Sequence, residues 1–229
     1  MDNIKESFET KHHIVKILWD EDPESPRTWD NAGKLICFHN KYDLGDKHNF
    51  DKDELEVAIL QEYGKDSIVL PLSLYDHSDI SIKAGSPTDA WDSGYVGFAV
   101  MSEKAIAEEW SGDYDKALAC LHGEVETYDQ YLRGDVTGFI VCNKYTGERV
   151  GSCWGFYGDD AIEEGRAVAE FDDKRLETDR HNACNSDARI QTLLGEHYWA
   201  IPLETLETIT PYLSKGLDDL GVTTKEIQQ

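Results

Sequence analysis

The stretch that decides the fold is VTGFIVCNKYTGERVGSCWGFY, residues 136–157. Two runs rich in β-branched and aromatic residues flank Tyr145-Thr146-Gly147-Glu148. That pattern predicts an antiparallel hairpin, with Gly147 supplying the positive φ of its turn. Similar runs stand elsewhere: HHIVKILW at 12–19, KLICF at 34–38, SIVLPLSLY at 67–75, DISI at 79–82 and YVGFAVM at 95–101. Each is short and bounded by Gly, Pro, Asn or Asp, as strands are.

Helical spacing fills the intervals. Asp51 and Glu54 resemble a capping box ahead of an apolar face of Leu55, Ile59 and Leu60, which Gly64 ends. Ser102 opens EKAIAEEW, and Ser111-Gly112 closes it. A longer helix follows through YDKALACLHGEVETYDQYL, with Ala117, Leu118, Leu121, Val125, Tyr128 and Leu132 near one face. Further helices are expected over about 159–178 and 203–215, the last limited or kinked by Pro211. Strands and helices alternate without a regular βαβ rhythm, which predicts an α+β fold: a mainly antiparallel sheet with several helices packed against it. A single domain is expected over 12–216, between a flexible N-terminus at 1–11 and a loose tail at 217–229.

The chain has 46 acidic residues against 22 Lys plus Arg, a net charge of −24 over 229 residues. Such a surface repels nucleic acid, acidic membranes and nucleotides, and attracts the basic proteins that hold them. Solubility alone is the plainer account of the acidity. The acids are unevenly placed, however: residues 67–102 hold 4, whereas 103–179 hold 19. No stretch approaches the roughly 20 apolar residues of a membrane span, and MDNIKESFETKHH has no signal pattern. The five cysteines are widely spaced, without a C-x-x-C pair, which reads as reduced thiols in a cytoplasmic protein.

The densest acidic point is Asp159-Asp160-Ala161-Ile162-Glu163-Glu164. On a helix these four carboxylates span roughly 7.5 Å and form two rows, a charge density near that of duplex DNA. Glu170, Asp172, Asp173, Glu177 and Asp179 extend the run. Asp159, Asp160, Glu163, Glu164, Asp172 and Asp173 are therefore the expected partner-binding residues. A solvated helix with internal i,i+4 ion pairs is the competing reading.

Catalysis is harder to find. Asp76, His77, Asp92 and Ser93 lie close in sequence, and an Asp beside a His with a Ser nearby can sketch a hydrolase. Neighbouring strand residues face opposite ways, though, so Asp76 and His77 are poorly placed to cooperate. No G-x-S-x-G elbow, H-E-x-x-H, phosphate loop or dinucleotide fingerprint occurs. The acidic loops at 19–24 and 46–56 fail the EF-hand template. The histidines form no ligand set, so neither metal nor cofactor is expected. Cys153 sits in an apolar strand, where a cysteine is usually a small core residue rather than a nucleophile. Three of the six tryptophans, Trp19, Trp29 and Trp91, precede an Asp, a pairing that suits the stacking of arginine as well as the anchoring of a core.

Four blocks also carry a resemblance: Trp19-Asp20 through Trp29-Asp30-Asn31, Leu70-Pro71 through Leu74-Tyr75-Asp76-His77-Ser78, Trp91-Asp92-Ser93-Gly94 through Phe98, and Cys153-Trp154-Gly155-Phe156-Tyr157-Gly158. Together they resemble a family of uncharacterised accessory proteins of bacteriophages and mobile elements, over roughly residues 14–160. The resemblance implies origin rather than activity: a protein acting in the cytoplasm of an infected bacterium. By analogy with acidic phage inhibitors, the expectation is a non-catalytic, antirestriction- or anti-CRISPR-like protein that occupies a basic, nucleic-acid-binding host defence protein, with DNA mimicry as its extreme form. It would bind neither nucleic acid nor membrane directly, and self-association stays open. The alternatives are a hydrolase or modifying enzyme acting on a host component, and a structural or oligomer-forming accessory protein.

Overall fold

The computed structural model describes residues 3–52, 55–76, 80–87 and 93–223. The strands are β1 (Ile4–Glu9), β2 (His13–Trp19), β3 (Gly33–Cys37), β4 (Ile68–Asp76), β5 (Ile80–Ala84), β6 (Ser93–Met101), β7 (Val136–Asn143) and β8 (Arg149–Tyr157). The helices are α1 (Leu55–Tyr63), α2 (Glu103–Trp110), α3 (Tyr114–Leu132), α4 (Asp160–Ala183), α5 (Ala188–Leu194) and α6 (Leu203–Asp219), with 3₁₀ turns at Pro26–Thr28 and Gly195–Trp199. The strands form two antiparallel four-stranded sheets, ordered β1-β2-β7-β8 and β3-β6-β4-β5. The α+β class expected from the sequence is the one observed.

Contacts gather in two compact units rather than around the one core expected over 12–216. One unit takes residues up to Leu18, Thr137–Trp154 and the chain from Asp159 onward; the other takes Trp19–Val136 and Gly155–Gly158.

In the second unit the pleat sorts the core. Leu35, Leu72, Leu74, Ile82, Ala99 and Met101 face the buried stripe of α3: Ala117, Leu121, Val125 and Tyr128. Ile36 and Val100, pointing the other way, pack on Leu55 and Ile59 of α1. Leu60 departs from the expected apolar face and is 54% exposed. The capping box cannot be judged, because Glu54 lies outside the described residues. Ser102 caps α2 by accepting the Ala105 N–H, and Asp113 caps α3 by accepting that of Lys116. Pro71 is tolerated in the interior strand β4 because its nitrogen, like the carbonyl that takes the Gly85 N–H, faces the β5 side just beyond the last β5 pair, where no ladder donor is needed.

Close backbone approach fixes one glycine. A Cβ at Gly97 would lie 1.9 Å from the Ile36 carbonyl oxygen in the adjacent strand. Gly97→Ala must push β3 and β6 apart, so it is expected to cost about 3 kcal/mol in urea unfolding. A loss under ~1 kcal/mol would show that the strands part easily.

In the first unit, Lys144 N–H bonds to His12 O, and α4 crosses the sheet. The β7–β8 hairpin forms as expected, Gly147 at φ 72°. Two expectations are corrected. The supposedly flexible start contains β1, antiparallel to β2, whose charged, alternating IKESFE conceals a half-exposed edge strand. The supposedly loose tail begins inside α6, which continues past Pro211 to Asp219; residues 224–229 lie outside the described residues. The helix α5 follows a turn in which Asn185 and Ser186 both have positive φ, a conformation the sequence does not advertise.

Candidate functional site

The acidic helix is longer than expected, and it has two chemically different halves. Gly158 at φ 75° breaks β8 into the helix, and Asp160 and Glu163 lie in its first turn, where the helix dipole favours them. Its inward stripe is Ala161, Gly165, Ala169, Asp172, Asp173, Arg180 and Ala183. The small residues let the helix lie close on the sheet: a Cβ at Gly165 would meet Val15 at 2.9 Å and Phe139 at 3.1 Å.

Asp159, Asp160, Glu163 and Glu164 are all exposed, as expected. Asp159 pairs with Lys5 at 3.0 Å. Among the described residues the other three have no ion-pair partner, so their charge faces solvent.

Asp172 and Asp173 do not join this row. Both are buried, at 9% and 7% exposure, because they fall on the stripe that faces the sheet. Asp173 Oδ1 accepts from the His12 backbone N–H at 2.9 Å, and Oδ2 accepts from that of Lys11 at 3.0 Å. His13 Nδ1 lies 2.7 Å from Asp173 Oδ1, and its Nε2 lies 3.1 Å from Asp172 Oδ2, the latter off the line of a good hydrogen bond. Of the two ring contacts only the one at Nδ1 is a hydrogen bond; Nε2 has no hydrogen-bond partner. Burial raises the Asp173 carboxyl, but the hydrogen bonds from His13 and the His12 amide outweigh it and hold it below its ordinary range. Asp172 also takes Arg175 Nε at 2.7 Å.

His12 continues the cluster. Its Nδ1 lies 3.1 Å from Tyr145 Oη, its Nε2 lies 3.1 Å from Glu177 Oε1, and its ring lies 3.9 Å from that of Trp199. Burial pushes its pKa below the usual histidine value, against the pull of Glu177. Glu177 is held low first by Lys11, with which it pairs directly. The adjacent Arg180, 4% exposed, donates to the carbonyls of Tyr198, Trp199 (2.9 Å) and Ile201 (2.7 Å). This web fastens the β1–β2 turn and the 3₁₀ turn to the second half of α4. Beside it opens a cavity of about 430 Å³, lined by Lys11, Glu177, His181, Cys184, Gln191 and Tyr198 among others. Lys11 and Glu177 of its lining pair with each other, Asp187 pairs with Arg189 outside it, and Cys184 Sγ faces Tyr198 Oη at 3.7 Å.

The hydrolytic candidates are not brought into view as a set. Asp76 is exposed near Tyr42 Oη at 3.3 Å and Lys41 Nζ at 3.9 Å. Ser93 pairs with Tyr75 across β4 and β6, and His77 and Asp92 lie outside the described residues. Among the described residues no cluster of His, Cys, Asp and Glu could hold a metal ion. No helix among them is long and apolar enough to cross a membrane. Cys153 is exposed rather than in a core. Among the described residues, the tryptophans left open are Trp29 and Trp154, at 45% and 46%.

Sequence reasoning missed the roles of His12, His13, Glu177 and Arg180. The adjacent histidines at a strand start were visible; their carboxylate partners lie some 160 residues away. No family model, curated protein or solved structure matches this chain.

Proposed function

We propose that the protein is a non-catalytic, phage-type accessory protein that binds and inhibits a basic, nucleic-acid-binding host defence protein in the bacterial cytoplasm. The observation that carries this reading is the division of α4. Its inward acids, Asp172 and Asp173, are consumed by His12, His13 and Arg175, whereas Asp159, Asp160, Glu163 and Glu164 remain exposed with one cation among them. Internal pairing accounts for the first group and leaves the second for a partner. Four carboxylates over one and a half turns can compete for a basic groove. They are too few to imitate a long duplex.

The test is affinity capture from bacterial lysate at low and high salt, with wild type and the Asp159→Lys, Asp160→Lys, Glu163→Lys, Glu164→Lys variant. Captured nucleic-acid-binding proteins are expected to elute as salt rises. The variant should keep its helical circular dichroism, because the four side chains are exposed, yet retain at least tenfold less of the same protein. Equal retention by the variant would sink the assignment of this row.

A further inference from the structure

The segment between β3 and α1 is held by two histidines in a way that fixes their protonation. His39 Nδ1 accepts the backbone N–H groups of Lys41 at 3.3 Å and of Tyr42 at 3.2 Å. His48 Nδ1 accepts the Phe50 N–H at 3.3 Å. A backbone N–H can only donate, so each Nδ1 presents a lone pair. The proton of the neutral His48 ring therefore sits on Nε2, which donates to the Cys37 carbonyl at 3.0 Å. Protonating either Nδ1 sets a donor against a donor and cancels the bond.

The surroundings do not compensate for the added charge. His48 is half-buried, with the rings of Phe38 and Phe50 at 4.8 and 5.7 Å. The titratable groups near it are Cys37 of β3, Asp46 and Lys47 in the same segment, and Tyr63 with Glu62 in α1. β6 contributes only the apolar Phe98 and Val100 to this side. Asp46 is spent on Arg27 and on the Leu35 N–H. His39 stacks on Tyr42 at 5.0 Å, next to Lys41, whose ammonium lies 4.5 Å over the Tyr42 ring. Asp43 follows in the segment, and Asp76 of β4 takes Lys41 and Tyr42 Oη. Among the described residues no carboxylate lies within ion-pair distance of either histidine.

The middle of the segment is fastened differently. The Gly45 N–H donates to Tyr128 Oη, and Asp46 is bonded to Leu35 through both its N–H and its carboxylate. Neither contact depends on a histidine.

We propose that this segment is a pH-sensitive fastening: acid protonates His39 and His48, frees both flanks, and leaves the middle at Gly45 and Asp46 in place. The closed form needs both rings neutral, so it is favoured at neutral pH and weakens as pH falls through the histidine range. Phe38 and Phe50 lie against the cluster of Ile36, Leu55, Ile59 and Val100, so the freed flanks loosen the cover of the buried side of α1. None of this depends on what the acidic row of α4 binds.

The test is backbone order of the full chain by NMR relaxation at about pH 7.5 and about pH 5, either side of the histidine range. The Tyr42 and Phe50 amides are expected to fall from order parameters of about 0.85 to below about 0.6, while Gly45 and Asp46 keep theirs. Asn places its Oδ1 where the histidine Nδ1 stood and does not titrate. His39→Asn should therefore keep Tyr42 ordered at both pH values, and His48→Asn should do so for Phe50. The imidazole nitrogen signals of the wild type read protonation directly, so the test stands even where a variant is loose from the start. Protonation of both Nδ1 atoms without loss of order at Tyr42 and Phe50 overturns the proposal. So does a double Asn variant that loosens in acid as the wild type does, which would move the response to the carboxylates. Loss of order at Gly45 and Asp46 together with the flanks would mean acid unfolding of the whole unit and would overturn it too.

Discussion

Asp173→Ala is expected to lower unfolding stability by about 3–5 kcal/mol, the cost of leaving three buried or half-buried donors without their acceptor. The size follows from what is left behind. His13 is completely buried and would lose the carboxylate 2.7 Å from its Nδ1, while the backbone N–H groups of Lys11 and His12 would lose their acceptor. Asn is a poor substitute: it has one acceptor oxygen where two are used, and its amide would face a donor. The companion Asp172→Ala should cost distinctly less. Its strongest contact is Arg175, whose side chain is 57% exposed and can return to water. In a chain of this size, Asp173→Ala should lower the melting temperature by roughly 10 °C. A loss below ~1 kcal/mol would mean that the cluster relaxes around water and fastens nothing. Since the Asp173 carboxyl is held low, its contribution is present above its ordinary pKa of 3.8 and is lost as pH falls below it.

The contrast between fold and site explains what could be read from the sequence. Capping and turn chemistry are local, so Ser102, Ser111 and Gly147 announce their elements to within a residue or two. β1 is invisible because nothing in IKESFE distinguishes an edge strand from a polar tail; its order comes from pairing with β2. The two aspartates were misplaced for a different reason. Asp172 continues the small-residue stripe Ala161, Gly165, Ala169 at helical spacing, a signal present in the sequence but masked by counting charge along the chain instead of around the helix. Their histidine partners depend on how β2 and α4 meet, which no local pattern encodes. What remained exposed after that pairing is a smaller and better-defined acidic surface than the run of nine acids had implied.

The second large effect is expected on the alkaline side, and it centres on Cys37 in the other unit. Burial, with the Asp46 carboxylate adding to it and the Arg27 guanidinium opposing, raises this thiol from 9.0 to about 12. In the unfolded chain the thiol ionises first, so stability is intact below pH 9 and is lost as pH climbs towards 12. Three pK units correspond to about 4 kcal/mol at the far end, and about 2 kcal/mol is already lost near pH 10.5. Tyr63 and Tyr128, raised by burial in the same unit, steepen the fall above pH 10. The window between 9 and 10 therefore belongs to the cysteines: Cys37, and with it Cys120, which burial also raises. Urea unfolding of the wild type should weaken measurably across it, whereas Cys37→Ala, less stable at neutral pH by the cavity it leaves, should fall less steeply there and keep only the part due to Cys120. A wild type as stable at pH 10.5 as at pH 8 would show that the thiolate finds water without unfolding β3. The buried ion pair of Arg27 with Asp46, 2.7 Å apart, would then be the movable part of that core.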